Sequence, residues 1–178
     1  EPRLKETTNK YEQKKGKIQP VSYELLGKAQ ELAKELICRV SAVIIGNDLD
    51  DQLDELIWHG ADNVHVVAAA EVANFQDEPY TNILVKLIQK YKPEILLSGA
   101  TFIGRSLISR VAVKINTGLT ADCTGLDIDP LRKILLQTRP AFGGNIMATI
   151  ITPNHRPQMA TVRHKVMQVM PPDKHRKG

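Results

Sequence analysis

Cysteine and aromatic residues are scarce in this sequence, and each scarcity removes a class of function. Cys38 and Cys123 are the two cysteines among 178 residues. They stand far apart, with no further Cys or His at metal-ligand spacing, so both are expected as reduced thiols in a cytoplasmic protein. An iron–sulfur cluster held by this stretch is excluded, because no cysteine cluster exists to ligate it. Three Phe, four Tyr and one Trp are present, and they are not interleaved with basic residues as a base-stacking surface requires. The formal net charge of +4 does not reverse that conclusion. Lys and Arg concentrate in Arg3–Lys17 and His164–Lys177 rather than along one element, and Asp48–Glu55 is acidic. No nucleic-acid partner is expected. No apolar run reaches the roughly 18 residues of a spanning helix, and Arg3–Lys17 holds no apolar signal core. H-E-x-x-H, a Ser–His–Asp order and a paired-carboxylate set are also missing, so no hydrolytic constellation is visible.

What is present is ordinary globular material, 42% hydrophobic and 25% charged. A chain of this length suits one domain that buries about 70% of its unfolded surface. Residues 1–20 lack apolar periodicity and read as an extension. From Ser22, a plausible N-cap, Tyr23, Leu26, Gln30, Ala33 and Ile37 define a helix face. Arg39–Gly46 is a continuous apolar strand, Leu49–His59 a second helix stopped at Gly60, and Val64–Ala68 the next strand. Pro79–Lys92 is a helix that Pro93 ends. This alternation predicts βαβ units and a parallel sheet. Beyond Ile115 the pattern changes. Asp122–Ile128, Ile134–Thr138, Asn145–Thr152 and Gln158–Arg163 follow one another without helices, and read as antiparallel strands wrapping the sheet edge. The predicted fold is therefore α/β, a Rossmann-like three-layer domain with a mainly parallel sheet and antiparallel strands in its last third. His59 and His65 fall at a helix end and in a strand, where solvent or core roles are the ordinary ones.

The stretch Pro93–Ser106, PEILLSGATFIGRS, reads as buried strand, tight turn and helix. The crevice beyond a strand's carboxyl end is where open α/β sheets place ligands. Gly99–Ser106 also lies one residue from the phosphate-loop pattern G-x-x-x-x-G-K-S/T, with Arg105 at the lysine position. The pattern's lysine is a compact charge that reaches phosphates, and a guanidinium differs in reach and geometry. A free-standing adenine-nucleotide-binding domain using this turn is the alternative function, and a plain packing turn the structural one.

Several linked motifs are more specific. They are Ser98-Gly99-Ala100-Thr101, Gly104-Arg105-Ser106-Leu107, Arg110-Val111-Ala112, Thr117-Gly118-Leu119-Thr120-Ala121-Asp122-Cys123-Thr124 and Thr138-Arg139-Pro140-Ala141-Phe142-Gly143-Gly144-Asn145. In this order, with Gln19–Ala29 and Gly60-Ala61-Asp62, the sequence resembles the alpha subunit of electron-transfer flavoproteins over roughly residues 17–170. The Thr117–Thr124 and Thr138–Asn145 stretches are similar to the electron-bifurcating branch of that family.

The resemblance implies a heterodimer with a beta subunit in a complex that splits NADH electrons between ferredoxin and an acyl-CoA or hydroxy-acid dehydrogenase. It implies a bifurcating FAD held mainly by the beta subunit, and a second FAD in a C-terminal alpha domain absent from these residues. Residues 21–170 would then be the α/β domain, and 171–178 a linker toward the FAD domain. Relatives carry an apolar strand where Asn9–Gln13 is polar here, which leaves the first sheet strand open. Arg139 is the residue expected nearest the cofactor, since a guanidinium stabilises negative charge on a reduced flavin; a salt bridge is its structural alternative. Gly143, Gly144 and Asn145 either let backbone approach the flavin or form a plain hairpin turn. Arg110 and Asp122 are subunit-interface or packing residues, and Arg105 is a partner contact of open role.

Overall fold

The computed structural model describes residues 6–11, 13–14, 17–47 and 53–178. Its frame is a six-stranded sheet in which every pair is parallel. The chain opens with β1 (Glu6–Tyr11) and the small antiparallel pair β2 (Gln13–Lys14) and β3 (Lys17–Ile18). The stretch read as an extension thus supplies an internal strand, since β1 lies between two others. The partners are β4 (Arg39–Gly46) and, further along the chain, β6 (Ile95–Gly99). Backbone ladders on both edges recruit a polar segment that apolar patterning does not reveal.

Between them, α1 (Pro20–Leu36) starts two residues before the expected cap. Pro20 takes the first turn, where its fixed φ is already helical and its missing N–H is not needed. Ser22 is consequently buried inside the helix, and Gln19 is the N-cap. Of the helix expected at Leu49–His59, α2 (Leu53–Trp58) is observed, and residues 48–52 lie outside the described residues. Then come β5 (Asn63–Ala68), a half-buried sheet edge, and α3 (Asp77–Tyr91), followed by β6 and α4 (Phe102–Lys114).

Strand alternation divides the core in two. Val40, Ala42 and Ile44 of β4, with Ile95 and Leu97 of β6, pack against Leu25, Leu26 and Leu32 of α1. Val43 and Ile45 of β4 and Leu96 of β6 face Leu84 of α3 and Leu107, Ile108 and Val111 of α4. A period of two along strands buried on both faces produces this division, and helices on both sides complete three layers.

The last third departs from expectation. The predicted strand Asp122–Ile128 is two elements, β7 (Leu119–Cys123) in the parallel sheet and β8 (Gly125–Ile128) outside it. The small antiparallel sheet is β8, β9 (Leu135–Ala141) and β10 (Ile146–Ile150), with β9 in the middle. The strand expected at Gln158–Arg163 is β11 (Gln158–Val162), and it is not antiparallel. It pairs parallel with β6 on one side and β7 on the other, with all five residues buried. A parallel pair needs a crossover of a dozen or more residues, usually a helix. Here residues 124–157 supply it as an antiparallel sheet. Leu126, Ile128 and Leu135 pack into the α1 core, so this excursion forms part of one outer layer.

Candidate functional site

The carboxyl ends of three adjacent strands are tied together at one edge. Ala100 N–H, just past β6, donates to the carbonyl of Val162 in β11 at 2.7 Å. Arg163 N–H, just past β11, donates to the carbonyl of Cys123 in β7 at 3.0 Å. Above this edge stands the β9–β10 turn. The result is an open cleft of about 340 Å³, lined by Arg139, Pro140, Ala141, Phe142, Gly143, Gly144 and Arg163. Ligand pockets run from about 300 to 1,000 Å³. This one lies at the lower end of that range.

Arg139 is half-buried in β9, opposite Ala148. Its Nε–H makes one long bond, 3.4 Å, to the adjacent Pro140 carbonyl. No carboxylate among the described residues pairs with it, so the salt-bridge alternative finds no partner there. Arg163 has no side-chain partner among the described residues either, and no sequence motif singles it out, because only the fold brings it to the cleft of Arg139. Gly143 and Gly144 form the turn with φ of 71° and 92°, a region L side chains rarely adopt. A Cβ at either would meet nothing within 4 Å, so the turn's backbone is open toward the cleft. Asn145, at φ −77°, is exposed and does not line it.

Beneath Arg139 is Cys123, fully buried. Burial pushes its thiol up to about 11; the Arg139 charge pulls against that shift and the Asp122 charge adds to it. The thiol is therefore neutral at ordinary pH. Asp122 adopts φ of 61°, an αL position that a short polar side chain tolerates. Its N–H donates to Thr161 Oγ1 at 2.9 Å, beside the irregularity where β7 meets β11. Its carboxylate takes both arms of Arg105, Nε at 2.9 Å and an η nitrogen at 3.1 Å. Arg110 of α4 pairs with Asp77 of α3 at 3.6 Å, and Ser106 Oγ donates to the same carboxylate at 2.8 Å. Arg105, Arg110 and Asp122 all have partners inside the chain.

These contacts also bear on the phosphate-loop resemblance. Only Ala100 and Thr101 separate β6 from α4, so the interval between Gly99 and Gly104 is already helical from Phe102. Thr101 caps that helix, its Oγ1 accepting from Gly104 N–H at 2.9 Å. The N–H groups of Gly104 and Arg105 are both taken by Thr101, and the Arg105 side chain is held by Asp122. Gly99 answers to packing, since a Cβ there would stand 2.8 Å from Val21 Cγ1.

Beyond Arg163, residues 164–178 lie along α1 and α2. The buried Glu24 carboxylate accepts from the N–H groups of Lys165 at 3.0 Å and Met167 at 3.4 Å. His59, packed on Tyr23, bonds through Nδ1 to the Met170 carbonyl at 2.9 Å. Arg176 reaches Asp62 and the Gly60 carbonyl. Within this strap, residues 171–178, expected as a linker, are docked through Asp173 N–H on the Trp58 carbonyl and Arg176 on Asp62.

Comparison with known proteins adds to this geometry. The family described as electron transfer flavoprotein domain matches residues 9–178. The electron transfer flavoprotein subunit alpha of Clostridium acetobutylicum is 49% identical over 160 residues, covering 90% of this chain and 48% of that protein. Its counterpart in Thermoanaerobacterium thermosaccharolyticum is 52% identical over 157 residues, 88% of this chain and 47% of that protein. The lactate dehydrogenase (NAD(+),ferredoxin) subunit LctC of Acetobacterium woodii is 50% identical over 151 residues, 85% and 36% respectively. The chain thus spans about half the length of the alpha subunits it matches.

Proposed function

Because the chain belongs to the electron transfer flavoprotein domain family, we propose that it is the α/β domain of an alpha subunit in an electron-bifurcating complex. The complex oxidises NADH in the cytoplasm and passes electrons to ferredoxin and to an acyl-CoA or hydroxy-acid dehydrogenase. The observation that carries the flavin assignment is the cleft, where the half-buried Arg139 guanidinium has no carboxylate partner among the described residues. The identity with a subunit named for NAD(+) and ferredoxin supports the choice of electron partners.

The cofactor is an FAD shared with a beta subunit; a second FAD belongs to a domain outside these residues. When bound, the flavin supplies the acceptance and release of electrons. This chain's part is to place charge and exclude water. Arg139 presents a delocalised positive charge that favours an anionic ligand over a neutral one. Gly143 and Gly144 keep the turn free of side chains, so backbone can approach the ring, and Asn145 follows as the turn's exit. Phe142, Ile146 and Met147 are 83%, 54% and 55% exposed beside the cleft, and β10 has an unpaired edge. An apolar rim of this kind suits coverage by the beta subunit. Arg105, Arg110 and Asp122, paired within the chain yet partly exposed, extend the surface open to that partner.

The test is co-production with the beta subunit, followed by anaerobic assay. The expected results are a colourless isolated chain, a yellow complex, and NADH oxidation that reduces ferredoxin only when a second, higher-potential acceptor is present. A complex that lacks flavin would overturn the cofactor assignment. Ferredoxin reduction that needs no second acceptor would overturn bifurcation and leave simple electron transfer.

A further inference from the structure

Five of the described arginines hold a carboxylate: Arg105 on Asp122, Arg110 on Asp77, Arg132 on Asp129, Arg156 on Glu94 and Arg176 on Asp62. Three hold none among the described residues, namely Arg39, Arg139 and Arg163, and the last two line the same cleft. Two guanidiniums in one cleft repel each other unless an anion lies with them. No carboxylate among the described residues provides that anion. Asp122, the carboxylate next to Cys123 in sequence, is occupied by the two-armed bond to Arg105. The Cys123 thiol beneath the cleft stays protonated.

Arg163 is also fixed in place. Its N–H is bonded to Cys123 of β7, and the preceding carbonyl, Val162, accepts from Ala100 beyond β6. The backbone is therefore held from both flanking strands while the side chain is left exposed toward the cleft. We propose that Arg163 is a second cation of this cleft, so that the site binds a ligand carrying delocalised negative charge and holds it between Arg139 and Arg163. The proposal rests on the flavin reading given above and extends it: Arg163 is a positioning and charge-setting residue for the reduced, anionic ring. Arg105 acts behind it by keeping Asp122 from neutralising the cleft.

The experiment compares Arg163→Ala, Arg163→Lys, Arg163→Gln and Arg139→Ala in the assembled alpha–beta complex. Flavin potentials are read by anaerobic spectroscopic titration, with subunit assembly checked by mass. Removal of Arg163 is expected to reduce the site's preference for the reduced over the oxidised flavin by about three- to tenfold, or about 30–60 mV for one electron. Arg163→Lys should recover part, because a point charge replaces the planar fork. Arg163→Gln, which keeps the bulk without charge, should behave like Arg163→Ala. If Arg139→Ala lowers the potential and the uncharged Arg163 variants change the preference less than 1.5-fold, the proposal falls while the flavin reading stands. If neither arginine matters, both fall. If both uncharged variants abolish assembly and Arg163→Lys restores it with an unaltered potential, Arg163 belongs to the subunit contact, and the proposal is overturned.

Discussion

Replacing Gly99 with alanine separates a glycine kept for packing from one kept for a ligand. Gly99 closes β6, and an added Cβ would stand 2.8 Å from Val21 Cγ1 and 3.3 Å from Cγ2. Val21 lies in α1 at 2% exposure, and a helical valine has one strongly preferred χ1, so its methyl groups cannot swing aside. Two effects compete. Alanine lowers the entropy of the unfolded chain, which stabilises by about 0.4–1 kcal/mol where the backbone is compatible, and Gly99 lies outside the left-handed region. Overpacking costs about 1–3 kcal/mol. Because a 2.8 Å contact against a fixed methyl group must move α1 relative to β6, overpacking wins, and Gly99→Ala should destabilise by about 1–2 kcal/mol. At this chain length the midpoint of thermal unfolding should fall by roughly 2–8 °C. Val21→Ala alone removes two buried methyl groups and should cost about 1–3 kcal/mol. The double variant should be no less stable than Val21→Ala, because the clash has lost its partner. Urea unfolding of the four proteins measures the coupling, expected at about 1–2 kcal/mol. Additive effects, or a Gly99→Ala protein as stable as its parent, would refute the packing account and return the glycine to the turn's ligand chemistry.

Other expectations concern the buried thiol of β7 and the strap that follows β11. Cys123 titrates near 11 when folded, against an ordinary 9.0, so the unfolded chain loses this proton first as pH rises. The contribution is intact below pH 9 and is lost between about 9 and 11, amounting to about 2–3 kcal/mol. Equilibrium unfolding across that range should show the loss, and Cys123→Ala should remove this component; an unchanged alkaline slope contradicts the buried neutral thiol. Glu24→Gln keeps one acceptor for the strap and turns an N–H₂ group toward the other amide. Hydrogen exchange over residues 164–170 should then quicken by about tenfold, equivalent to about 1.4 kcal/mol. Protection equal to the parent's would mean that the strap is held elsewhere.

Apolar patterning alone was enough to place α1, α3, α4, β4 and β6 within a few residues. In each, a helix face or a continuous apolar run records burial directly, and Pro93 punctuates the end of α3. The linked motifs from Ser98 to Asn145 pointed to the family for the same reason: side-chain identities are local facts. Pairing across the chain is not local. β1 is polar, and only its hydrogen-bonded neighbours β4 and β6 make it an internal strand. β11 is buried throughout although it carries Gln158 and Thr161, and its direction depends on the route taken by residues 124–157. A sequence without a crossover helix gives no sign that this route returns parallel. The site followed the same division. Arg139 and the Gly143–Gly144 turn could be singled out by residue type. Tertiary structure alone paired Arg105 with Asp122 and withdrew that carboxylate from the cleft. It also brought Arg163 from the end of β11 to the cleft of Arg139 in β9, where two like charges share one opening because the strands beneath them are fixed by backbone bonds.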